Sequence, residues 1–172
     1  VDWRDGIPVS RAFGDPYFSL DGGLAEARHV FLAGNGLPGR LRPGFAILEL
    51  GFGTGLNLLA TLAAFRGAGA PGPVTYASFE AFPLAAEDRA RALAAFPDLA
   101  EDAAKLTDLL ARGPGPHDLG GLVLTVVEGD ARATLPAWDG TADAAFLDGF
   151  APARNPQMWE GGLLAAVALR LR

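Results

Sequence analysis

The sequence lacks cysteine altogether and has a single lysine, Lys105, among its 172 residues. Without cysteine, neither a disulfide framework nor a thiolate zinc site can form, which fits a reducing compartment. The histidines, His29 and His117, stand alone, whereas a metal site would need them brought together with carboxylates. The apolar runs fall well short of the ~20 residues that cross a bilayer, and no charged-then-apolar leader opens the chain. We therefore predict a cytoplasmic protein with no metal site and no membrane partner.

Positive charge is also scarce. The net charge of −6 at pH 7 disfavours non-specific binding of nucleic acid by the whole surface, but it leaves room for a local basic patch. Half of the residues are apolar, which suffices for one core, and the chain is too short for two comfortable domains. We predict a single domain over residues 1–172, with residues 1–42 as an N-terminal extension and residues 43–172 as the core.

Strand-like and helix-like segments alternate through the core. The predicted strands are residues 45–50, 74–80, 122–128 and 143–147. One predicted helix starts at Leu56, and three others cover residues 84–96, 98–112 and about 156–171. Such alternation predicts an α/β fold with a doubly wound parallel sheet. Ligands of these sheets gather beyond the carboxyl ends of the strands, so the residues that follow each strand are the candidates for function.

The first predicted strand runs into a glycine turn. Glycines 51, 53 and 55 let a ligand approach the backbone and the N-terminus of the next helix. A dinucleotide fingerprint would place another glycine at position 56, where this sequence has Leu56. A Walker loop is also absent, because no Gly-Lys-Ser or Gly-Lys-Thr follows the turn. The turn alone is weak evidence, and its departure from the fingerprint counts against NAD or FAD.

Carboxylates follow the strands, and they favour a cationic ligand. S-adenosylmethionine carries a sulfonium and an ammonium, whereas dinucleotides carry an anionic pyrophosphate. Glu49 lies where it, or a water beside it, would face the ammonium, and Glu80 is placed to accept both ribose hydroxyls. Asp130 would accept the adenine amino group while Ala131 offers backbone hydrogen bonds. Alternatively, Glu49 is a structural strand-end carboxylate, Glu80 a solvated charge and Asp130 a helix N-cap.

Asp148 opens the string D-G-F-A-P after the fourth predicted strand. A methyl acceptor can be presented to the sulfonium from this place, and a carboxylate that accepts the N–H bonds of an amine would aim its lone pair at the methyl carbon. Phe150 would pack against the target base. The alternative is that Asp148 caps a loop and Phe150 belongs to the core.

Six strings together resemble one known family. They are F-G-D-P-Y-F-S (13–19), E-A-R-H-V-F-L-A-G-N (26–35), E-L-G-F-G-T-G-L-N (49–57), S-F-E-A-F-P-L (78–84), G-D-A (129–131) and L-D-G-F-A-P-A-R-N-P-Q-M-W (147–159). This set resembles the methyltransferase domain of the bacterial tRNA 5-methylaminomethyl-2-thiouridine biosynthesis bifunctional protein. The glycine string alone points to the methyltransferase class, and the last string with the N-terminal strings makes the resemblance specific.

The resemblance implies a Rossmann-like class I methyltransferase fold, with S-adenosylmethionine as cofactor and tRNA as partner. The reaction would be methylation of the aminomethyl nitrogen on the wobble uridine, with Asp148 as the catalytic residue. Many members carry a fused flavin-dependent oxidase domain that makes this amine, so here the amine is expected from a separate oxidase. Members also continue with further strands after the last helix, and we therefore expect a shortened sheet.

The same resemblance extends the set of predicted site residues. Cofactor-binding residues are Glu49, Gly51, Phe52, Gly53, Gly55, Asn57, Glu80, Asp130 and Ala131, and substrate-binding residues are Tyr17, Phe150 and Arg154. Tyr17 would lie over the cofactor or stack on a base, and Arg154, like Arg28, would contact phosphate. The rival functions are methylation of another amine, a cofactor-binding remnant without turnover, and a dinucleotide oxidoreductase.

Overall fold

The computed structural model describes residues 1–19 and 22–172 of the chain. The strands are β1 (Asp2–Arg4), β2 (Ile7–Val9), β3 (Ala46–Leu50), β4 (Val74–Glu80), β5 (His117–Asp118), β6 (Leu122–Glu128) and β7 (Ala144–Leu147). The α-helices are α1 (Gly23–Glu26), α2 (Leu56–Gly67), α3 (Ala86–Leu93), α4 (Ala100–Leu110), α5 (Ala131–Ala137) and α6 (Gly161–Ala168). A π-helical stretch (Ala27–Leu32) and a 3₁₀ turn (Ala33–Asn35) continue α1, and further 3₁₀ turns are Pro97–Leu99 and Pro156–Trp159.

The central sheet has the order β5-β6-β4-β3-β7. Strands β3, β4, β6 and β7 are parallel, as predicted. The short β5 pairs antiparallel with β6 and lies between the predicted helix of residues 98–112 and the predicted strand of residues 122–128. Leu50 pairs with Phe79 of β4 on one side and with Leu147 of β7 on the other. The three carboxyl ends therefore meet at one edge of the sheet, which confirms that Gly51, Glu80 and Asp148 emerge side by side.

Apolar layers cover both faces of this sheet, because successive side chains of a strand point to opposite faces. Ile47 of β3 belongs to the larger cluster, which includes residues of α2, α3 and α4, while Leu48 and Leu50 belong to the smaller one with residues of α5 and α6. Strands buried on both faces read as near-continuous apolar runs, which is why β3 was recognisable in the sequence. The doubly wound α/β architecture is confirmed.

The structure corrects several predicted boundaries. The predicted helix of residues 156–171 is divided: Glu160 has an extended backbone and separates a 3₁₀ turn from α6. The α-helical part of the predicted segment 84–96 is only Ala86–Leu93. Helix α5 was predicted only indirectly, through the alternative that Asp130 is a helix N-cap. Its seven residues include Pro136 and give a weak helical pattern. The hairpin β1–β2 was not predicted at all.

Strand β7 forms one end of the sheet within the described part of the chain. Its amino end is extended by a parallel bridge between Ala142 and Leu171, in which the Ala142 N–H donates to the Arg170 carbonyl. The Arg172 guanidinium also donates to the Asp143 carboxylate at 2.8 Å. The last residues of the chain are thus held against the start of β7, far along the strand from its carboxyl end. No helix in the described residues combines the length and apolarity that a membrane crossing requires.

Candidate active site

A cavity of about 830 Å³ opens at the edge of the sheet where β3, β4 and β7 end. Of the residues predicted for the site, ten line it: Tyr17, Gly51, Phe52, Gly53, Asn57, Glu80, Asp130, Ala131, Asp148 and Phe150. The other three, Glu49, Gly55 and Arg154, are not on its wall. The volume falls within the ~300–1,000 Å³ of typical ligand sites.

Two glycines of the turn have conformations that a side chain would disturb. Gly51 has φ +89°, and a Cβ atom there would collide with the carbonyl oxygen of Asp148. Gly55 has φ +85° at the N-cap of α2, where a Cβ atom would lie 2.9 Å from the Leu106 side chain. Gly55 therefore shapes the turn from behind rather than from the cavity, and Gly51 lets the backbones of β3 and β7 approach closely.

Glu80 fastens the glycine turn to the end of β4. Its Oε2 accepts from the Gly53 N–H at 2.9 Å, and its Oε1 accepts from the Phe82 N–H at 2.7 Å. Each carboxylate oxygen has more than one acceptor position, so these bonds leave capacity for a ligand's hydroxyl groups. The carboxylate is thus held by main-chain donors at the wall of the cavity.

Glu49 lies behind the cavity wall, fully buried. Its carboxyl group accepts from the Ser78 hydroxyl at 2.6 Å and from the Asn57 amide at 3.1 Å. Burial raises the pKa of Glu49 to about 8, because loss of solvation outweighs the hydrogen bonds that favour the ion. Asn57 stands between this carboxyl group and the cavity, so the structure does not bring Glu49 to the wall where it was predicted to act.

Asp148 follows β7 and faces the cavity. Its backbone N–H donates to the Leu50 carbonyl at 3.0 Å, and its Oδ2 accepts from the Asn57 amide at 2.6 Å. The side chain meets the water of the cavity but is surrounded by protein, and this partial loss of solvation raises its pKa to about 6. The hydrogen bond from Asn57 opposes the rise, and the charges of Glu26 and Glu80 add to it. Asp148 is therefore mostly ionised at neutral pH.

Aromatic side chains form the wall next to Asp148. The Tyr17 ring lies 5.1 Å from the Phe150 ring, and Phe13 lies 5.0 Å from Phe150 and 5.7 Å from Phe82. This wall joins the N-terminal segment to the loop after β7, and Asp15 fixes the join by accepting from the Ala151 N–H at 2.8 Å. Phe13 and Phe82 were not predicted as site residues, although both lie in strings of the family resemblance.

The comparisons with known proteins agree with this geometry. A family model described as S-adenosyl-L-methionine-dependent methyltransferase matches residues 106–172. A crystal structure of MNMC2 from Aquifex aeolicus is 26% identical, with a TM-score of 0.72, over 95% of this chain and 52% of that chain. The fold is that of an S-adenosylmethionine-dependent methyltransferase.

Curated relatives extend the similarity over nearly the whole chain. The tRNA 5-methylaminomethyl-2-thiouridine biosynthesis bifunctional protein MnmC of Caulobacter vibrioides is 50% identical over 98% of this chain, and that of Aromatoleum aromaticum is 50% identical over 94%. The MnmC protein of Pseudomonas aeruginosa PAO1 is 51% identical over 98%. The chain spans 26 to 30% of the length of these relatives. The resemblance inferred from the six strings is thereby confirmed.

In this methyltransferase fold, the cavity suits the cofactor that the family description implies. The carboxylates of Glu26, Glu80 and Asp148 face it, which favours the positive sulfonium and ammonium groups. At Gly53 of the glycine turn, a Cβ atom would press on the Tyr17 ring at 3.2 Å, so glycine lets this aromatic wall residue lie close to the turn. Glu26 was not predicted as a site residue; the string E-A-R-H that begins with it was the available signal.

Asp130 is bound by Arg132 in this methyltransferase fold. Its carboxylate caps α5 by accepting from the Arg132 N–H at 2.9 Å and pairs with the Arg132 guanidinium at 2.6 Å. The side-chain hydrogen bond from Arg132 lowers the pKa of Asp130. The N-cap alternative is therefore present in the structure, and contact with adenine stays a prediction. Arg154 lies outside the cavity, so its proposed contact would be with a phosphate beyond the cofactor.

Replacing Glu80 with alanine is expected to weaken binding of S-adenosylmethionine by about 1–3 kcal/mol, because charged hydrogen bonds are lost and the glycine turn loses its anchor. Calorimetric titration measures the affinity. Glu128 offers a matched control, since it pairs with Glu80 in the β4–β6 register, ends the neighbouring strand and is exposed. Equal affinities of Glu80→Ala and Glu128→Ala would refute the ribose role of Glu80.

The buried Glu49 is expected to make folding stability depend on pH. Its pKa is about 8 in the folded state against 4.5 for the free side chain, so the folded state binds more protons between these values. Stability contributed by the neutral form is therefore complete below about pH 4.5 and declines as pH rises toward 8. Urea unfolding at pH 6 and pH 8 should show a smaller decline for Glu49→Gln, which stays neutral, than for the unmodified chain. Equal declines would contradict the assigned protonation.

Proposed function

We propose that this chain transfers a methyl group from S-adenosylmethionine to the aminomethyl nitrogen of 5-aminomethyl-2-thiouridine at the tRNA wobble position. The product is 5-methylaminomethyl-2-thiouridine. The observation that carries the proposal is the placement of Asp148: a carboxylate at the end of β7, held by Asn57 in an acidic cavity beside the aromatic wall. The names of the relatives, which concern biosynthesis of this nucleoside, support the choice of acceptor.

Residues of the glycine turn and the strand ends would hold the cofactor. Gly51, Phe52 and Gly53 line the cavity, and Glu80 is placed for the ribose hydroxyls. Asp130 and Ala131 lie on the wall where adenine would be recognised. Asn57 also lines the cavity, whereas Glu49 acts on the ligand only through Asn57.

The cofactor supplies an electrophilic methyl group bound to a positive sulfur. Asp148 accepts an N–H bond of the neutral acceptor amine, so that the nitrogen lone pair points at the methyl carbon. When bound, the cofactor would give up this methyl group to the nitrogen with the neutral thioether as leaving group, and the methylated ammonium would lose its proton to solvent. Asp148 contributes orientation, and it must be ionised to do so.

The aromatic wall suits a nucleobase acceptor. Tyr17 and Phe150 present ring surfaces beside Asp148, and unstacked RNA bases are commonly held on such surfaces. Arg154 would contact a tRNA phosphate outside the cavity, which provides local positive charge on an acidic chain. The acceptor amine comes from a flavin-dependent oxidase reaction, and the relatives are bifunctional by name.

The test combines cofactor binding with methyl transfer. S-adenosylmethionine is titrated calorimetrically into the chain, and labelled methyl transfer is then measured to tRNA that carries 5-aminomethyl-2-thiouridine. We expect binding and transfer to this tRNA, with no transfer to the same tRNA lacking the aminomethyl group. Binding without transfer, or equal transfer to simple amines, would refute the proposed acceptor. Absence of binding by the folded chain would refute the methyltransferase activity itself.

A further inference from the structure

The side-chain amide of Asn57 joins two carboxyl groups of different strands. Its Nδ2 donates to Asp148 Oδ2 at 2.6 Å and to Glu49 Oε1 at 3.1 Å, so both of its hydrogens are used. Asn57 sits in the first turn of α2, directly after the glycine turn, and is almost fully buried. Within the described residues, no hydrogen bond reaches the other oxygen of Asp148, which leaves Oδ1 available to a ligand.

The Glu49 side of this bridge is hydrogen-bonded and screened from solvent. Glu49 and Ser78 are both fully buried, and the Ser78 hydroxyl donates to Glu49 Oε2 at 2.6 Å. Among the described residues, no cationic side chain forms an ion pair with Glu49. An unpaired buried carboxyl group is favoured in its neutral form, so the bridge carries its negative charge at Asp148.

We propose that Asn57 is a positioning residue that holds the Asp148 carboxylate in its ionised, amine-accepting orientation by anchoring it to the buried Glu49–Ser78 pair. The functional part of this proposal rests on the proposed methyl transfer, whereas the effect on Asp148 itself does not. Asn57 acts through Asp148: it fixes the orientation of the carboxylate by binding Oδ2, and it leaves Oδ1 free of protein donors in the described residues, so that Oδ1 is the oxygen placed for the acceptor amine.

The charges around Asp148 determine what loss of Asn57 would do. The charges of Glu26 from α1 and Glu80 from β4 disfavour a negative charge on Asp148, whereas the neutral Glu49 from β3 adds no charge of its own. Asn57 from α2 supplies the opposing hydrogen bond. Without this donor, the pKa of Asp148 should rise by about one unit or more, since hydrogen bonds to ionised groups are among the stronger ones.

The experiment measures the ionisation of Asp148 directly and then its effect on catalysis. The pKa of Asp148 is followed by carbon-13 NMR of chain labelled at aspartate carboxyl carbons, with Asp148→Asn identifying the resonance. Asn57→Ala removes the amide, and Asn57→Leu removes it at similar size, so that one variant remains if the other does not fold. Thr61→Val is the control: Thr61 is fully buried one turn later on α2, and its hydroxyl donates to the main-chain carbonyl of Asn57 rather than to a carboxylate.

We expect the Asp148 pKa to rise in the Asn57 variants and to stay unchanged in Thr61→Val. With saturating S-adenosylmethionine, the acid limb of the pH profile of kcat for methyl transfer should move to higher pH by the same amount. In an Asp148→Asn background, the Asn57 variants should cause no further loss of kcat. An unchanged Asp148 pKa in a folded Asn57 variant would overturn the proposal. A raised pKa in a chain that methylates no tRNA would uphold the positioning role while refuting the proposed function.

Discussion

Replacing Asp148 with asparagine is expected to lower kcat for methyl transfer by roughly 10²-fold or more, because the acceptor amine loses the charged group that orients its lone pair. Asparagine has nearly the same shape, so the turn at the end of β7 and its bond to the Leu50 carbonyl should persist. Affinity for S-adenosylmethionine should change far less than kcat, since Glu26 and Glu80 keep negative charge at the cavity and the residues placed for the ribose and adenine belong to other elements of the fold. The effect should therefore appear in turnover rather than in cofactor binding.

Single-turnover transfer of a labelled methyl group measures this loss, and calorimetry checks the cofactor. Asp108→Asn is the matched control, because Asp108 is an exposed carboxylate on α4 and does not line the cavity. In the unmodified chain, transfer should also decline as pH falls through about 6, where Asp148 becomes protonated. Turnover by Asp148→Asn equal to that of Asp108→Asn would remove Asp148 from the mechanism.

Replacing Gly51 with alanine is expected to destabilise the fold by about 3 kcal/mol or more, the largest stability effect that the site offers. Two causes add: Gly51 has φ +89°, which disfavours any side chain, and the new Cβ atom would collide with the Asp148 carbonyl. Because the colliding atom is backbone, relief requires β3 and β7 to separate at their carboxyl ends. Cofactor affinity should fall together with stability.

The control for this substitution is Gly67→Ala. Gly67 is the exposed last residue of α2, and a Cβ atom there would meet no atom within 4 Å. Alanine should be tolerated or should stabilise by roughly 0.5 kcal/mol, since glycine is the poorer helix former. Urea unfolding of both variants gives the comparison. A cost for Gly51→Ala below about 1 kcal/mol would show that the strand ends adjust easily and that the close approach is not required.

Local pattern was enough to predict the sheet strands that build the site. The bounds of β4 and β6 were predicted without error, and β3 and β7 each start one residue later than predicted. These strands are apolar runs bounded by glycine, proline or charge, so neighbouring residues determine them. From the parallel arrangement it followed that Glu80 and Asp148 would meet at one edge, and they do.

Other features depend on residues far apart in the chain, and pattern alone did not reveal them. Glu49 is buried against Asn57 of α2 and Ser78 of β4, and the contact of Asn57 with Asp148 joins residues that are 91 positions apart. Phe13 reaches the wall through the fold of the N-terminal segment. The pairing of Asp130 with Arg132 is local, but the sequence pattern is the same whether the Asp130 carboxylate caps α5 or contacts adenine.

The hydrogen bond between Asp15 and Ala151 crosses 136 positions of sequence, and it has a thermodynamic consequence. It completes a cavity wall that exists only while the N-terminal segment is docked on the loop after β7. A ligand that contacts this wall binds the docked chain more tightly than the undocked chain, so occupancy and docking are linked. Substitutions that weaken the docking of residues 10–17 should therefore weaken ligand binding, even where the substituted residue does not contact the ligand. By reciprocity, ligand in excess should protect this segment from proteolysis.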